Sequence, residues 1–227
     1  MRPIPGRLAG TEVFTRVRTY FQNAGFDEST YEQVAATLVE RDAFPAFGDP
    51  IPPGVSTAEL LFRLFTGSRI ARAELPGPVN DLLTLGFIEI APDDTVSATV
   101  RIRPIFDLYV LSDLETPETP DDYVFAPDDP DALKYLSFVP LEPCGSFLEA
   151  CGGSGIAALA AARQGTGQAW SSDISERCTA FARLSAALSG IDNFTAVTGD
   201  TYQPLPGLAF DRIALHPPFM PVLHSSQ

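Results

Sequence analysis

The chain has one lysine, Lys134, and two histidines, His216 and His224. Its 15 basic residues stand against 29 acidic ones, a formal net charge of −14. Nucleic-acid binders draw much of their affinity from neutralising phosphates, so this balance argues against a generally basic reader of RNA or DNA. A local arginine patch on an acidic protein stays open. The three cysteines, Cys144, Cys151 and Cys178, are odd in number and lack paired metal-ligand spacing. They fit a cytoplasmic chain with reduced thiols and no metal. No apolar run approaches the roughly 18 residues that a membrane span needs. The opening "MRPIPGRLAG" lacks the apolar core of a secretory signal.

What is present is unevenly distributed. Residues 1–140 hold 11 basic and 22 acidic side chains, and residues 141–227 hold four and seven. At 227 residues the chain can form one large or two modest domains. Val13, Val17, Tyr20 and Phe21 recur at helical spacing, and a second helix restarts behind Glu28-Ser29-Thr30. Ser56 or Thr57 caps "AELLFRLFTG", and "PGPVNDLLTLG" is a third short helix ended by Gly86. "FIEIAP", the Asp93-Asp94 turn and "TVSATVRIRPIFDLYVLSDL" read as a β hairpin with a further strand. This is a small α+β, winged-helix-like domain over residues 1–130. Its sharper reading is a nucleic-acid reader with Arg101 and Arg103 on the wing. With acidic residues at the hairpin tip, a protein-contacting or structural domain is the favoured reading. Residues 113–131 carry eight acidic and no basic side chains, with X-Pro breaks at Pro117, Pro120 and Pro127. They read as a solvated, extended linker to a second domain over 131–227.

From residue 146 the pattern becomes α/β. "SFLEA", "QAWSSD", "FTAVTGD" and "FDRIAL" are strands, separated by the helices "GIAALAAARQ" and "SERCTAFARLSAALSG". Alternation with short turns predicts a parallel, doubly wound sheet. In "FLEACGGSGIAAL", Gly152, Gly153 and Gly155 allow a tight turn and leave no side chain between the helix start and a ligand. Glu149 before them would repel a phosphate and suits a ligand with a cationic amino group. Asp173 ends the second strand, where a carboxylate can accept both ribose hydroxyls of an adenosine; a turn or helix-cap role is the plain alternative. Asp200 ends the third strand, within reach of an adenine edge or simply in a solvated turn. Three acceptors at successive strand ends lie on the edge where such sheets bind ligands.

Residues 146–219 resemble the first four motifs of class I S-adenosylmethionine-dependent methyltransferases. They are most similar to the branch that methylates planar nitrogen, which includes release-factor glutamine methyltransferases and "small-domain" rRNA guanine methyltransferases. "LEACGGSGIAAL", "SSDIS" and "GD" correspond to its first three motifs, and "HPPF" to its Asn/Asp-Pro-Pro-Tyr/Phe signature. The resemblance implies a Rossmann-like domain that holds S-adenosylmethionine through Glu149, Cys151, Gly153, Gly155, Asp173, Ile174 and Asp200. It implies an acceptor site at His216, Pro217, Pro218 and Phe219. There the first side chain and the Pro217 carbonyl would accept the two N–H bonds of the acceptor, and Phe219 would stack on its plane.

His216 departs from the signature. A neutral imidazole accepts one hydrogen bond and can take the released proton, but lacks an amide's geometry. Cys151, where many relatives have glycine, reads as a small packing residue. Ile213-Ala214-Leu215 reads as a short buried strand, and the sequence ends soon after it. The resemblance implies seven strands, so the expectation is a fragment whose fourth strand is left as an edge. The leading function is methyl transfer to a planar nitrogen, with a protein glutamine favoured over rRNA because of the acidity. The other readings are an rRNA guanine methyltransferase and a non-catalytic S-adenosylmethionine-binding or protein-interaction module.

Overall fold

The computed structural model describes residues 9–41, 48–115 and 122–217. The chain begins with α1 (Thr11–Asn23), α2 (Glu28–Glu40) and α3 (Thr57–Phe65). Helix α2 is capped by Asp27, one residue ahead of the expected cap, because its carboxylate accepts the Thr30 N–H at 2.8 Å. Ser56 caps α3 in the same way, accepting from Glu59 N–H. Strand β1 (Arg69–Ala71), a 3-10 turn at Arg72–Glu74, and α4 (Val79–Thr84) follow, then β2 (Ile88–Ile90) and β3 (Thr95–Ala98). The β2–β3 hairpin turns at the expected Asp93-Asp94, and the three strands form an antiparallel sheet in the order β1-β3-β2.

Strands β4 (Arg101–Ile105) and β5 (Leu108–Ser112) form a separate hairpin. Its turn, Phe106-Asp107, has positive φ at both residues, which matches the right-handed twist of the paired strands. The outer edge of β5 is covered by α7 (Glu176–Ser189): Ser189 Oγ accepts from Tyr109 N–H at 2.9 Å and Ser185 Oγ from Leu111 N–H at 2.8 Å. A helix thus supplies acceptors that a third strand would otherwise give.

This hairpin corrects two expectations. Arg101 and Arg103 are not on a solvent-facing wing. Arg103 is only 3% exposed, lies 3.9 Å from the Tyr31 ring centre and pairs with Glu32 and Asp128, while Arg101 pairs with Asp128 at 2.8 Å. Nor is the described part of 113–131 a solvated linker. Asp113 is buried and forms a bidentate ion pair with Arg177 of α7, and it accepts Val124 N–H at 2.8 Å. The cause is common to both: buried guanidinium groups need counter-charges, and this acidic stretch supplies them.

The second half carries α5 (Pro130–Leu136), β6 (Ser146–Ala150), α6 (Ile156–Arg163), β7 (Gln168–Asp173), α7, β8 (Phe194–Thr198) and β9 (Arg212–Leu215). The fold is mixed α/β, with β8-β7-β6-β9 forming a four-stranded, wholly parallel sheet. Helices α6 and α7 pack on each other and against β7 and β8, while the β8–β9 connection carries turns and no helix. Winding is therefore seen on one face of the described sheet; Gly199, Pro204, Pro206 and Gly207 break any helix in the return connection. Nor is β9 buried. Ala214 packs on the helix-covered side, whereas Ile213 and Leu215 are 48% and 46% exposed.

One apolar core joins α1–α3 and the first hairpin to Cys178, Phe181, Leu184 and Leu188 of α7. A second lies between α6 and the parallel sheet and takes in Ile105, Leu108 and Val110 of the β4–β5 hairpin. Helix α7 and the hairpin thus serve both halves of the chain.

Candidate active site

The order β8-β7-β6-β9 means that the chain runs outward from β6 to β8 and then returns to the other side of β6. The crevice at such a reversal, beyond the carboxyl ends of the strands, is where open α/β sheets take ligands. Every sequence-derived site residue in the described chain lies at or beside this edge.

The turn from β6 into α6 is built on unusual backbone. Cys151, Gly153 and Gly155 have φ of 55°, 54° and 75°. Gly152 N–H donates to Ser172 O at 3.1 Å, and Gly155 N–H to Gly152 O at 2.7 Å, which ties the turn to β7 and closes it. The glycines differ in what surrounds them. A Cβ on Gly155 would stand 3.0 Å from Ala182 Cβ, so this glycine permits close approach of α6 and α7. A Cβ on Gly153 would meet nothing within 4 Å. Space above the turn is open there.

Asp173, the last residue of β7, holds that turn from the side. Its Oδ2 accepts Gly153 N–H and its Oδ1 accepts Ser175 N–H, each at 2.9 Å. The turn-and-cap geometry is therefore present, and each carboxylate oxygen keeps a further lone pair. Ile174, the next residue, is 77% exposed, an apolar side chain beside a carboxylate. Asp200 is exposed just past β8. The negative fields of Asp173 and Asp200 reach Cys151, whose thiol is pushed up first by burial and then by these two charges. Both carboxylates therefore converge on the same turn.

Glu149 differs from the expectation of direct ligand contact. It is 1% exposed, and its Oε2 accepts Ala158 N–H at 2.9 Å from the first turn of α6. Burial pushes its carboxyl up to about 7, against the opposing effect of the helix N–H bonds from Ala158 and Ala157. A carboxylate under a helix N-terminus is favoured by the unpaired N–H groups, which explains why the side chain turns inward. Its work is to hold the turn from below.

His216 follows β9, and its ring stacks on Tyr135 of α5 with centroids 4.6 Å apart and planes 8° from parallel. Pro217 is exposed beside it. Pro218 and Phe219 lie outside the described residues. Tyr135 has no signal in the sequence: it sits in a short helix after Asp-Asp-Pro, and no spacing rule links it to residue 216. Its hydroxyl is buried without a hydrogen-bond partner among the described residues, and burial raises its pKa, aided by the charges of Glu149 and Cys151.

The arrangement can hold a polar, hydroxyl-bearing ligand with a flat apolar part along the turn, Asp173, Ile174 and Asp200, with a second group beside His216. Compared with known proteins, the chain matches no family model and no curated sequence. Among the described residues, no helix is long and apolar enough to cross a membrane.

Proposed function

We propose that this chain is a class I S-adenosylmethionine-dependent N-methyltransferase, with a Rossmann-like sheet preceded by a winged-helix-like arrangement of α1–α4 and β1–β3. One observation carries the reading: strand order β8-β7-β6-β9 brings the glycine turn, Asp173, Asp200 and His216 to a single sheet edge at a topological switch point. The open space over Gly153 and the exposed Ile174 fit an adenosine with its amino-acid arm.

In this reading Asp173 accepts the ribose hydroxyls through its remaining lone pairs while keeping Gly153 N–H in place. Ile174 covers the adenine face, and Asp200 meets its edge. Glu149 fixes the turn against α6 and takes no direct part. S-adenosylmethionine supplies an electrophilic methyl group. The acceptor nitrogen is planar and weakly nucleophilic, so the protein's task is to orient it and exclude competitors. In its neutral form His216 can accept an acceptor N–H, the Pro217 carbonyl a second, and His216 can take the proton that leaves the methylated nitrogen.

A protein glutamine is the favoured acceptor. The burial and pairing of Arg101 and Arg103 weigh against the rRNA alternative, because neither is free to neutralise a phosphate. Three free cysteines fit a reducing cytoplasm.

Calorimetric titration of the full chain with S-adenosylhomocysteine tests the reading. Wild type should bind, and Asp173→Ala should lose about 1.5–3 kcal/mol, the net worth of a charge-assisted hydrogen bond. Equal affinity of both proteins would remove its central support.

A further inference from the structure

A ligand laid along the carboxyl edge with its flat part on β7 and β8 must send its other end toward β6 and β9. Leu215 of β9 is in register with Ala150 of β6, so Cys151 and His216 leave the sheet side by side. The ring of Tyr135 stacks on that of His216 with centroids 4.6 Å apart, and it packs on the apolar core that contains Ile156, the first residue of α6. Tyr135 therefore stands on the β6–β9 side of the glycine turn, across it from Asp173 and Asp200. Its hydroxyl is buried and has no hydrogen-bond partner among the described residues. A buried hydroxyl without a partner destabilises a fold, and such groups are rare enough to need a reason.

Other donors around this edge already have acceptors. The N–H groups of Gly152, Gly153 and Gly155 donate to Ser172 O, Asp173 Oδ2 and Gly152 O. Residues 141–227 hold four arginines. Of these, Arg163 donates to Ser189 O, Arg177 to Asp113, Arg183 to Ala196 O, and Arg212 to Pro140 O and Glu142 O. An edge bearing Glu149, Asp173 and Asp200 suits an ammonium group, but a ligand carboxylate there needs a neutral donor. An α-amino acid arm brings both groups. Burial raises the pKa of the Tyr135 hydroxyl, and the charges of Glu149 and Cys151 add to this, so the phenol stays protonated and able to donate.

We infer that Tyr135 is a ligand-binding residue, its hydroxyl donating to the carboxylate on the amino-acid arm of S-adenosylmethionine and so selecting ligands that carry that carboxylate. The inference deepens the transferase reading above and rests on it. The hydroxyl then weakens the free chain and strengthens the complex. Its removal should move the two in opposite directions.

The full chain is titrated with S-adenosylhomocysteine and with its decarboxylated form, S-adenosyl-3-thiopropylamine, which keeps the adenosine and the amine. Tyr135→Phe should weaken S-adenosylhomocysteine binding by about ten- to a hundredfold, the worth of a hydrogen bond to a charged group. The same variant should change the affinity of the amine by less than about twofold, read by competition if the amine binds too weakly for direct calorimetry. Without ligand, Tyr135→Phe should unfold at or above the wild-type Tm, because an unpartnered buried polar group has been removed. Equal S-adenosylhomocysteine affinity of wild type and variant, or equal losses for the two ligands, would overturn the inference and leave the transferase reading in place. A lower Tm of the free variant would show that the hydroxyl is held within the protein, and would overturn it too. A wild-type chain that fails to bind S-adenosylhomocysteine would overturn the transferase reading, and the inference with it.

Discussion

Two regions of this molecule are rich in charge, and they use it in opposite ways. At the junction of the β4–β5 hairpin with α7, Asp113 and Arg177 form a buried bidentate pair, and where the hairpin meets α2, Asp128 sits between Arg101 and Arg103. Each of these carboxylates has a guanidinium against it. At the carboxyl edge of the parallel sheet, Glu149 and Asp173 accept only backbone N–H groups, and Asp200 makes no side-chain hydrogen bond among the described residues. Among the described residues, no ion pair is made by Glu149, Asp173 or Asp200. A pairing that is complete holds structure together, whereas carboxylates left with spare lone pairs at a switch point remain able to meet a ligand.

The largest effect should come from breaking the paired region. Asp113→Ala leaves Arg177 buried beside Phe181 with no carboxylate, and removes the acceptor of Val124 N–H. Loss of one partner of a buried pair costs about 3–5 kcal/mol. Urea unfolding should show this, and a loss below about 1 kcal/mol would mean that the junction is wetter than its burial indicates. Donor affinity of the folded fraction should be unaltered.

Next in size is a contrast within the glycine turn. Gly155→Ala places a methyl group against Ala182 at a φ of 75°, combining left-handed strain with overpacking, for a loss of about 2–4 kcal/mol. Gly153→Ala has a φ of 54° but open space around it, so only strain of about 1 kcal/mol applies. The added methyl would then stand where a ligand is proposed to lie. Thermal unfolding and S-adenosylhomocysteine titration should therefore rank the two variants in opposite order. The same order by both measurements would dissolve the distinction between a packing glycine and a ligand-facing one.

Much of this edge was legible in the sequence because its signals are local. A strand ending in a glycine-rich turn, and a carboxylate at the end of the next strand, follow from periodicity and turn chemistry within a few residues. The strand spans at 146–150 and 168–173 are where the pattern puts them, and the third starts as expected at Phe194 but ends at Thr198, two residues short of Asp200. What the sequence concealed is long-range. Arg101 and Arg103 look like surface cations until Asp128 and Glu32 are found beside them. The acidic run at 113–131 looks solvated until Arg177, 64 residues from Asp113, is seen to need it. Tyr135 and His216 meet only because β9 returns beside β6. Glu149 was identified as important for a contact it is too buried to make, since strand alternation does not reveal that a helix N-terminus waits beneath it.

Glu149 also sharpens the comparison through pH. Its carboxyl titrates near 4.5 ordinarily and near about 7 when folded, burial being the main cause. Between those values the folded chain retains a proton that the unfolded chain has lost, so stability falls as pH rises across the window. Below it both states are protonated, and above it both are ionised. Glu149→Gln removes this titration while keeping an oxygen able to accept Ala158 N–H. Urea midpoints at pH 5 and pH 8 should show the variant gaining on wild type at the higher pH, by on the order of 1–3 kcal/mol. A constant difference at both values would indicate that the Glu149 site is already hydrated and titrates normally.

The smallest stability effect is expected at Asp200, and it is the most discriminating for function. Its carboxylate is exposed and makes no hydrogen bond among the described residues, so Asp200→Ala should change stability by less than about 0.5 kcal/mol. If the residue only solvates a turn, nothing else should change. If it meets an adenine edge, S-adenosylhomocysteine affinity should fall by about two- to tenfold, the worth of one hydrogen bond, and by less than in Asp173→Ala. A third readout needs no ligand. The charge of Asp200 helps to hold the Cys151 thiol above its ordinary range, so its removal should lower that thiol's pKa and increase alkylation of Cys151 at mildly alkaline pH. Faster alkylation with unchanged donor affinity would show that Asp200 faces the turn yet contributes nothing to binding, and the proposed ligand would then rest on Asp173 and Ile174 alone.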